Sequence, residues 1–127
     1  MAIAVQEVAT EVDHVVDTVM TIYRSHMEHA VAGSIAEFVA APAGAGAVRA
    51  VSIPARRTIE AVLGDEADAD VLGAVAWTLA DRGWRLDVLC RADALGDAHG
   101  VLRGVPCRLQ GWWADNLNIE FGAYEHP

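Results

Sequence analysis

The stretch from Trp84 to Leu109 constrains the fold more than any other part of the chain. Trp84, Leu86, Val88 and Cys90 alternate with Arg85, Asp87 and Arg91, and only Leu89 interrupts the polar set. Alternate side chains of a strand point to opposite faces, so one face is expected on a core and the other toward water or charged partners. Asp93 then offers a carboxylate to the free N–H groups of a helix start. Leu95, Ala98 and Leu102 follow at helical spacing, and Gly104 ends the run. Val105, Cys107 and Leu109 alternate again, with Pro106 confined to a strand start or edge because it has no N–H to give a ladder. Two strands joined by a helix pair in parallel through a right-handed crossover. The expected fold class is therefore α/β, with α+β as the alternative: a long N-terminal helix, then a small sheet domain with one βαβ unit and a C-terminal hairpin or strand.

The N-terminal helix is read from Val5, Val8, Val12, Val15, Val19 and Ile22, which keep a three-four spacing. That is the a/d pattern of a heptad seam. Two readings are open: an amphipathic helix packed on its own domain, or a two-chain coiled coil that self-associates through these six residues. Continued to about residue 31, the helix carries His26 and His29 on one face. Glu28 or Glu37 could join them around a metal, but nothing completes a ligand set and no metal site is expected. In a paired helix these imidazoles would weaken the contact as they protonate near about pH 6. Gly33 and Ser34 break the helix, Ile35 to Ala41 reads as a short helical turn, and Pro42 to Ala47 is a small-residue linker. Residues 1–41 thus form a helical dimerisation or packing segment and 42–127 the α/β domain, within one compact unit.

Residues 48–63 read as strand or helix, broken by Pro54. Arg49, Arg56 and Arg57 form a basic cluster, expected to pair with the acidic turn Asp65, Glu66, Asp68 and Asp70; the alternative is an anchor for an anionic ligand, because arginine bonds carboxylates in bidentate fashion. The last acid of that turn is the expected cap of a helix lined by Val71, Leu72, Val75 and Leu79, which Gly83 terminates. Trp77 lies partly off this face and is assigned to the flank of the core, with a ligand-facing role as the alternative. Near the C-terminus, Asp115-Asn116 is a turn signal, and Leu117, Ile119 and Phe121 alternate with polar neighbours. Trp112 and Trp113, adjacent in a strand, point to opposite faces, so one of them leaves the core for a pocket or contact.

Composition narrows the function. Eighteen acidic residues face nine basic ones, a net charge of −9, which argues against direct nucleic-acid binding or an anionic membrane. All nine cations are arginine, so Schiff-base and P-loop lysine chemistry is excluded. No apolar run is long enough to span a bilayer and no basic-then-apolar leader is seen, so a cytoplasmic location is expected. Ala and Arg richness without Lys suggests a bacterial coding bias. Cys90 and Cys107 read as reduced core thiols. Ser34 and Ser52 lack a nucleophile context, and His99 reads as an exposed helical histidine.

The segment Leu79-Ala-Asp-Arg-Gly-Trp-Arg-Leu-Asp-Val-Leu-Cys-Arg, continuing to Leu102-Arg-Gly-Val-Pro-Cys-Arg-Leu, resembles the core of the sensor domains of TrmB-type and LuxR-type bacterial transcription regulators. Those domains share a phospholipase-D-like α/β fold and often follow a coiled-coil helix. The family's Lys-bearing strand is not matched by Trp112 to Phe121, and no helix-turn-helix is present. The resemblance implies a ligand-sensing or dimerising module without its own DNA-binding part.

The expectation that follows is a non-catalytic, regulatory ligand-sensing or protein-interaction module, self-associating as a homodimer and needing no cofactor. Trp77, Arg85, Asp87, Arg91, Trp112 and Trp113 are the candidate pocket or interface residues. The alternatives are a small enzyme of bacterial secondary metabolism using Asp87, Arg91 or His99, and a structural or assembly subunit.

Overall fold

The computed structural model describes residues 2–42, 44–64, 69–116 and 118–127, with residues 2–10 described as backbone only. Helix α1 spans Ala2–Ser25. Its buried face runs through Val12, Val15, Val16, Val19, Met20 and Tyr23, and all six pack on the chain's own sheet. Val12, Val15 and Val19 are therefore occupied within one chain, which leaves no surface on them for a second copy. Val5 and Val8 have side chains outside the described residues. Ile22, the last member of the expected seam, is 41% exposed, and Tyr23 takes the inward position. A straight helix turns every 3.6 residues and drifts by about 20° per heptad from a 3.5 repeat, so the contact stripe moves off a strict a/d line.

The helix stops at Ser25, earlier than expected, in a Schellman motif. Glu28 N–H donates to Tyr23 O at 2.9 Å and Met27 N–H to Arg24 O at 3.0 Å, with Met27 in the left-handed region at φ 62°. His26 and His29 thus lie beyond the helix and do not share a helical face.

Among the described residues six strands follow: β1 (Val31–Ser34), β2 (Arg49–Ile53), β3 (Thr58–Val62), β4 (Arg85–Arg91), β5 (Cys107–Asp115) and β6 (Asn118–Glu125). They form one sheet in the order of the chain. β1, β2 and β3 form an antiparallel meander, β3, β4 and β5 are parallel, and β6 returns antiparallel to β5. The short helix α2 (Ile35–Phe38) follows β1, α3 (Leu72–Asp81) joins β3 to β4, and α4 (Leu95–Val101) joins β4 to β5. There are accordingly two βαβ units where the sequence suggests one. The second arises because residues 48–63, ambiguous by pattern, are the two strands β2 and β3, divided by a 3-10 turn at Pro54–Arg56. Right-handed crossovers that add strands in one direction put both connecting helices on one face. Residues of α3 and α4 pack there on Ile59, Ala61, Leu86, Val88, Cys90 and Leu109. α1 covers the other face.

Several local expectations change. The N-caps of α3 and α4 are Val71 and Ala94, neither with a side-chain bond, so Asp70 and Asp93 are not caps. Asp93 instead approaches Arg91 at 3.5 Å. Asp65, Glu66, Asp68 and Leu117 lie outside the described residues. The basic cluster pairs elsewhere: Arg49 with Asp13, and Arg56 with Glu28. Trp77 is 55% exposed on α3, away from the core to which its neighbours Val75, Ala76 and Leu79 belong. Pro106 does immediately precede β5; Gly83, at φ 74°, follows the C-cap of α3, whereas α4 ends at Val101 and Gly104, at φ 78°, lies in the turn beyond it. Cys90 and Cys107 are both free and buried, but the register pairs Cys107 with Leu86 and Cys90 with Gly111, so the thiols are not neighbours across the strands. Burial pushes both thiols up to about 11, far from the thiolate form a nucleophile needs.

Candidate functional site

Three strands bring one polar row together beneath the C-terminal end of α1. Glu60 of β3 is in register with Asp87 of β4, and Asp87 with Arg108 of β5. Adjacent strands lie about 4.8 Å apart, so two carboxylates stand side by side on the sheet. Both are enclosed: Glu60 is 2% exposed and Asp87 0%. Their surroundings differ. Asp87 receives a two-pronged guanidinium, Arg108 Nε to Oδ1 at 2.9 Å and Nη2 to Oδ2 at 2.7 Å. Arg85 Nε adds a third bond to Oδ1 at 3.1 Å. Such charge-assisted, bidentate pairing compensates a buried anion. Glu60 instead accepts from the Tyr23 hydroxyl of α1.

The protonation states follow from this contrast. Burial pushes the Glu60 carboxyl up to about 7; the adjacent Asp87 charge pushes the same way, while the Tyr23 bond and the charges of Arg108 and Arg56 oppose it. Burial and the bond to Glu60 drive the Tyr23 phenol far above its ordinary range, so Tyr23 is a fixed donor. Glu60 is then a carboxyl whose proton affinity burial raises toward neutrality. Chemically the site can hold or release one proton and can act as counter-ion to a bound cation.

Aromatic rings close the site. Tyr23, Phe121 and Tyr124 line a pocket of about 180 Å³ together with Val19, Ile22 and Gln110, and Glu60 forms part of its wall. Two of the rings already carry guanidinium groups: Arg56 lies 5.2 Å from the Tyr23 ring centre and Arg108 lies 3.7 Å from that of Tyr124. Arg56 is itself held by Glu28 through two bonds of 2.7 Å. The loop after α1 and the turn after β2 are thereby tied to the same ring.

A β-bulge makes this pocket possible. Gln110 pairs with Tyr124 but Trp112 pairs with Phe121, so β6 carries one extra residue opposite Gly111. In a regular strand Phe121 and Tyr124, three residues apart, would face opposite sides. The bulge turns both toward α1, and Gln110 Nε2 donates to Gly122 O at 2.8 Å across it. Gly111 is also closely packed. A Cβ there would stand 3.3 Å from Ala92 Cα, in the turn that leads into α4.

The residues expected from sequence to line one pocket are divided among three places. Arg85 and Asp87 belong to the polar row. Arg91, Trp112 and Trp113 meet at the other end of β4 and β5 around a cavity of about 270 Å³. There Arg91 Nη1 bonds Glu11 of α1 at 3.0 Å and its guanidinium lies 5.9 Å from the Trp112 ring centre. Trp112 is buried with its indole N–H unpartnered, and Trp113 is 45% exposed. Trp77 joins neither group. His99 is half-buried and bonded to Glu125 at 2.8 Å, separate from Asp87 and Arg91. Tyr23, Glu60, Arg108, Gln110 and Tyr124 were not anticipated. The one sequence signal for them was Glu60 inside Thr-Ile-Glu-Ala-Val, an acid at the centre of a strand-like apolar run. Among the described residues no group of three or more His, Cys, Asp or Glu side chains is placed to hold a metal, and no helix is long and apolar enough to cross a membrane.

No protein-family model, curated protein or solved structure matches the chain.

Proposed function

We propose that this chain is a non-catalytic, regulatory ligand-binding module whose ligand enters the pocket between the end of α1 and the β5–β6 hairpin. The observation that carries this reading is the combination of a concave, mainly apolar wall with a single convergent buried carboxyl, Glu60. Binding sites for small molecules have that composition: apolar and aromatic lining with few placed polar groups. At about 180 Å³ the pocket is smaller than the ~300 Å³ at the lower end of drug-sized sites, so its ligand is a small molecule or the head of a larger one. A regulatory role is what the resemblance to bacterial sensor domains implies. Asp87, the acid an enzymatic reading would use, is fully enclosed and bonded by two arginines, which supports a binding role over turnover at that group. The described valines of α1, Val12, Val15, Val16 and Val19, are satisfied by the sheet.

Fragment screening followed by amide-shift mapping in solution tests this. The expected hits perturb Tyr23, Gln110, Phe121 and Tyr124 and are lost in Tyr124→Ala. Hits that map only to Arg91 and Trp113 would move the site to the opposite strand ends. An absence of hits at either place would overturn the ligand-binding reading.

A further inference from the structure

We propose that the pocket selects a small organic cation, an alkylammonium head, with Glu60 as its counter-ion and Tyr23, Phe121 and Tyr124 as its aromatic wall. This deepens the ligand-binding reading and rests on it.

Asp87 is neutralised by Arg108 and Arg85, Glu28 by Arg56, Glu11 by Arg91 and Asp13 by Arg49. Glu60 and Asp87 are the two buried carboxylates among the described residues. Only Asp87 has a guanidinium bonded to it; Glu60 accepts from a neutral phenol. A buried anion without a cation is expensive and reverts to the acid. A cation delivered by a ligand would supply what the sheet does not.

The walls point the same way. Aromatic rings attract cations through the negative faces of their π systems, and cages of such rings recognise ammonium groups. Tyr23 and Tyr124 already do this with Arg56 and Arg108. Val19 and Ile22 give an alkyl chain an apolar surface. The net charge of −9 raises the local concentration of cations and disfavours anions.

Protonation couples to binding. The charged and titratable groups that face Glu60 are Tyr23 from α1, Arg56 from the turn before β3, Asp87 from β4, Arg108 from β5 and, through the pocket, Tyr124 from β6. With the Glu60 carboxyl near 7, ammonium binding must displace its proton at acidic pH. Below that value affinity is expected to weaken roughly tenfold for each pH unit, as the ionised form is depleted.

The test titrates the intact chain with three probes of one shape, n-butylamine, n-butanol and n-butyrate, by calorimetry and amide-shift mapping at pH 7.5. The expected result is at least tenfold tighter binding of butylamine than of the other two, falling about tenfold between pH 6.5 and 5.5. Glu60→Gln keeps an acceptor for the Tyr23 hydroxyl, so it tests charge without removing that bond. It is expected to abolish the preference for butylamine over butanol. Equal binding of all three probes, or a preference surviving in Glu60→Gln, would overturn the cation proposal and leave the binding module standing. Failure of all three, with fragments still mapping to the pocket, would do the same. Failure of every probe and fragment would remove both.

Discussion

Under α3 and α4 the sheet presents Ile59, Ala61, Leu86, Val88, Cys90 and Leu109, apolar without interruption. Under α1 the same three strands present Val62, Leu89 and Trp112 at one end and Glu60, Asp87 and Arg108 at the other. The first face is held by burial alone, worth about 25 cal/mol per Å² of apolar surface. The second is divided: an apolar half that seats the middle of α1, and a polar half in which Asp87 is answered by two arginines and Glu60 by a phenol. The lesson is that a face polar by pattern need not be wet. Asp87 and Glu60 are as enclosed as the valines beside them, and the place where one acid lacks a cation is where the pocket opens.

The largest test of this contrast is Asp87→Ala. It leaves Arg108 without its bidentate partner in the polar half, and removing one member of a buried pair costs about 3–5 kcal/mol. A urea midpoint unchanged by the substitution would show that the arginines are solvated rather than committed to Asp87. Glu60→Gln should act in the opposite direction. The Glu60 carboxyl is raised from 4.5 to about 7, so its contribution to stability is fully present below the unfolded value and is lost as pH rises through the folded one. At about 1.4 kcal/mol per pH unit, the neutral variant is expected to gain on the order of 3 kcal/mol over the wild type at pH 8 and nothing at pH 4. Parallel denaturation curves across that range check it; an advantage constant with pH would place its origin outside the titration.

Val15→Ala probes the apolar half. Val15 is fully buried against the sheet, and its truncation should cost about 2 kcal/mol from lost burial and the cavity left behind. The loss should not depend on protein concentration. A concentration-dependent melting temperature would restore the two-chain seam. Trp77→Ala is the smallest expected effect, within about 0.5 kcal/mol, because the side chain belongs to neither face. A larger loss would mean that α3 uses this tryptophan in a contact with another molecule.

Much of the fold was legible in periodicity. The strand–helix–strand unit, the turn at Asp115-Asn116 and the end of α3 before Gly83 follow from local rules. Leu89 was the legible exception: one apolar residue in the polar set of β4, which lies under α1 and marks that face as covered. Residues 48–63 were not legible, because short apolar runs fit strand and helix periods equally and only pairing with β1 and β4 selects the strand. The candidate site was mostly hidden. Tyr23 depends on the drift of α1, and the joint approach of Phe121 and Tyr124 on a bulge that no local pattern announces.

By itself the sequence determined the α/β class, the apolar spacing of α1 and the exclusion of lysine chemistry, since these depend only on residue type and short-range period. Only the tertiary structure decided that Val12, Val15 and Val19 of α1 pack on its own sheet, that Asp87 is buried with two arginines, and that Glu60 is left to a phenol beside a pocket. Those outcomes arise from strand register and helix placement, which join residues far apart in the chain.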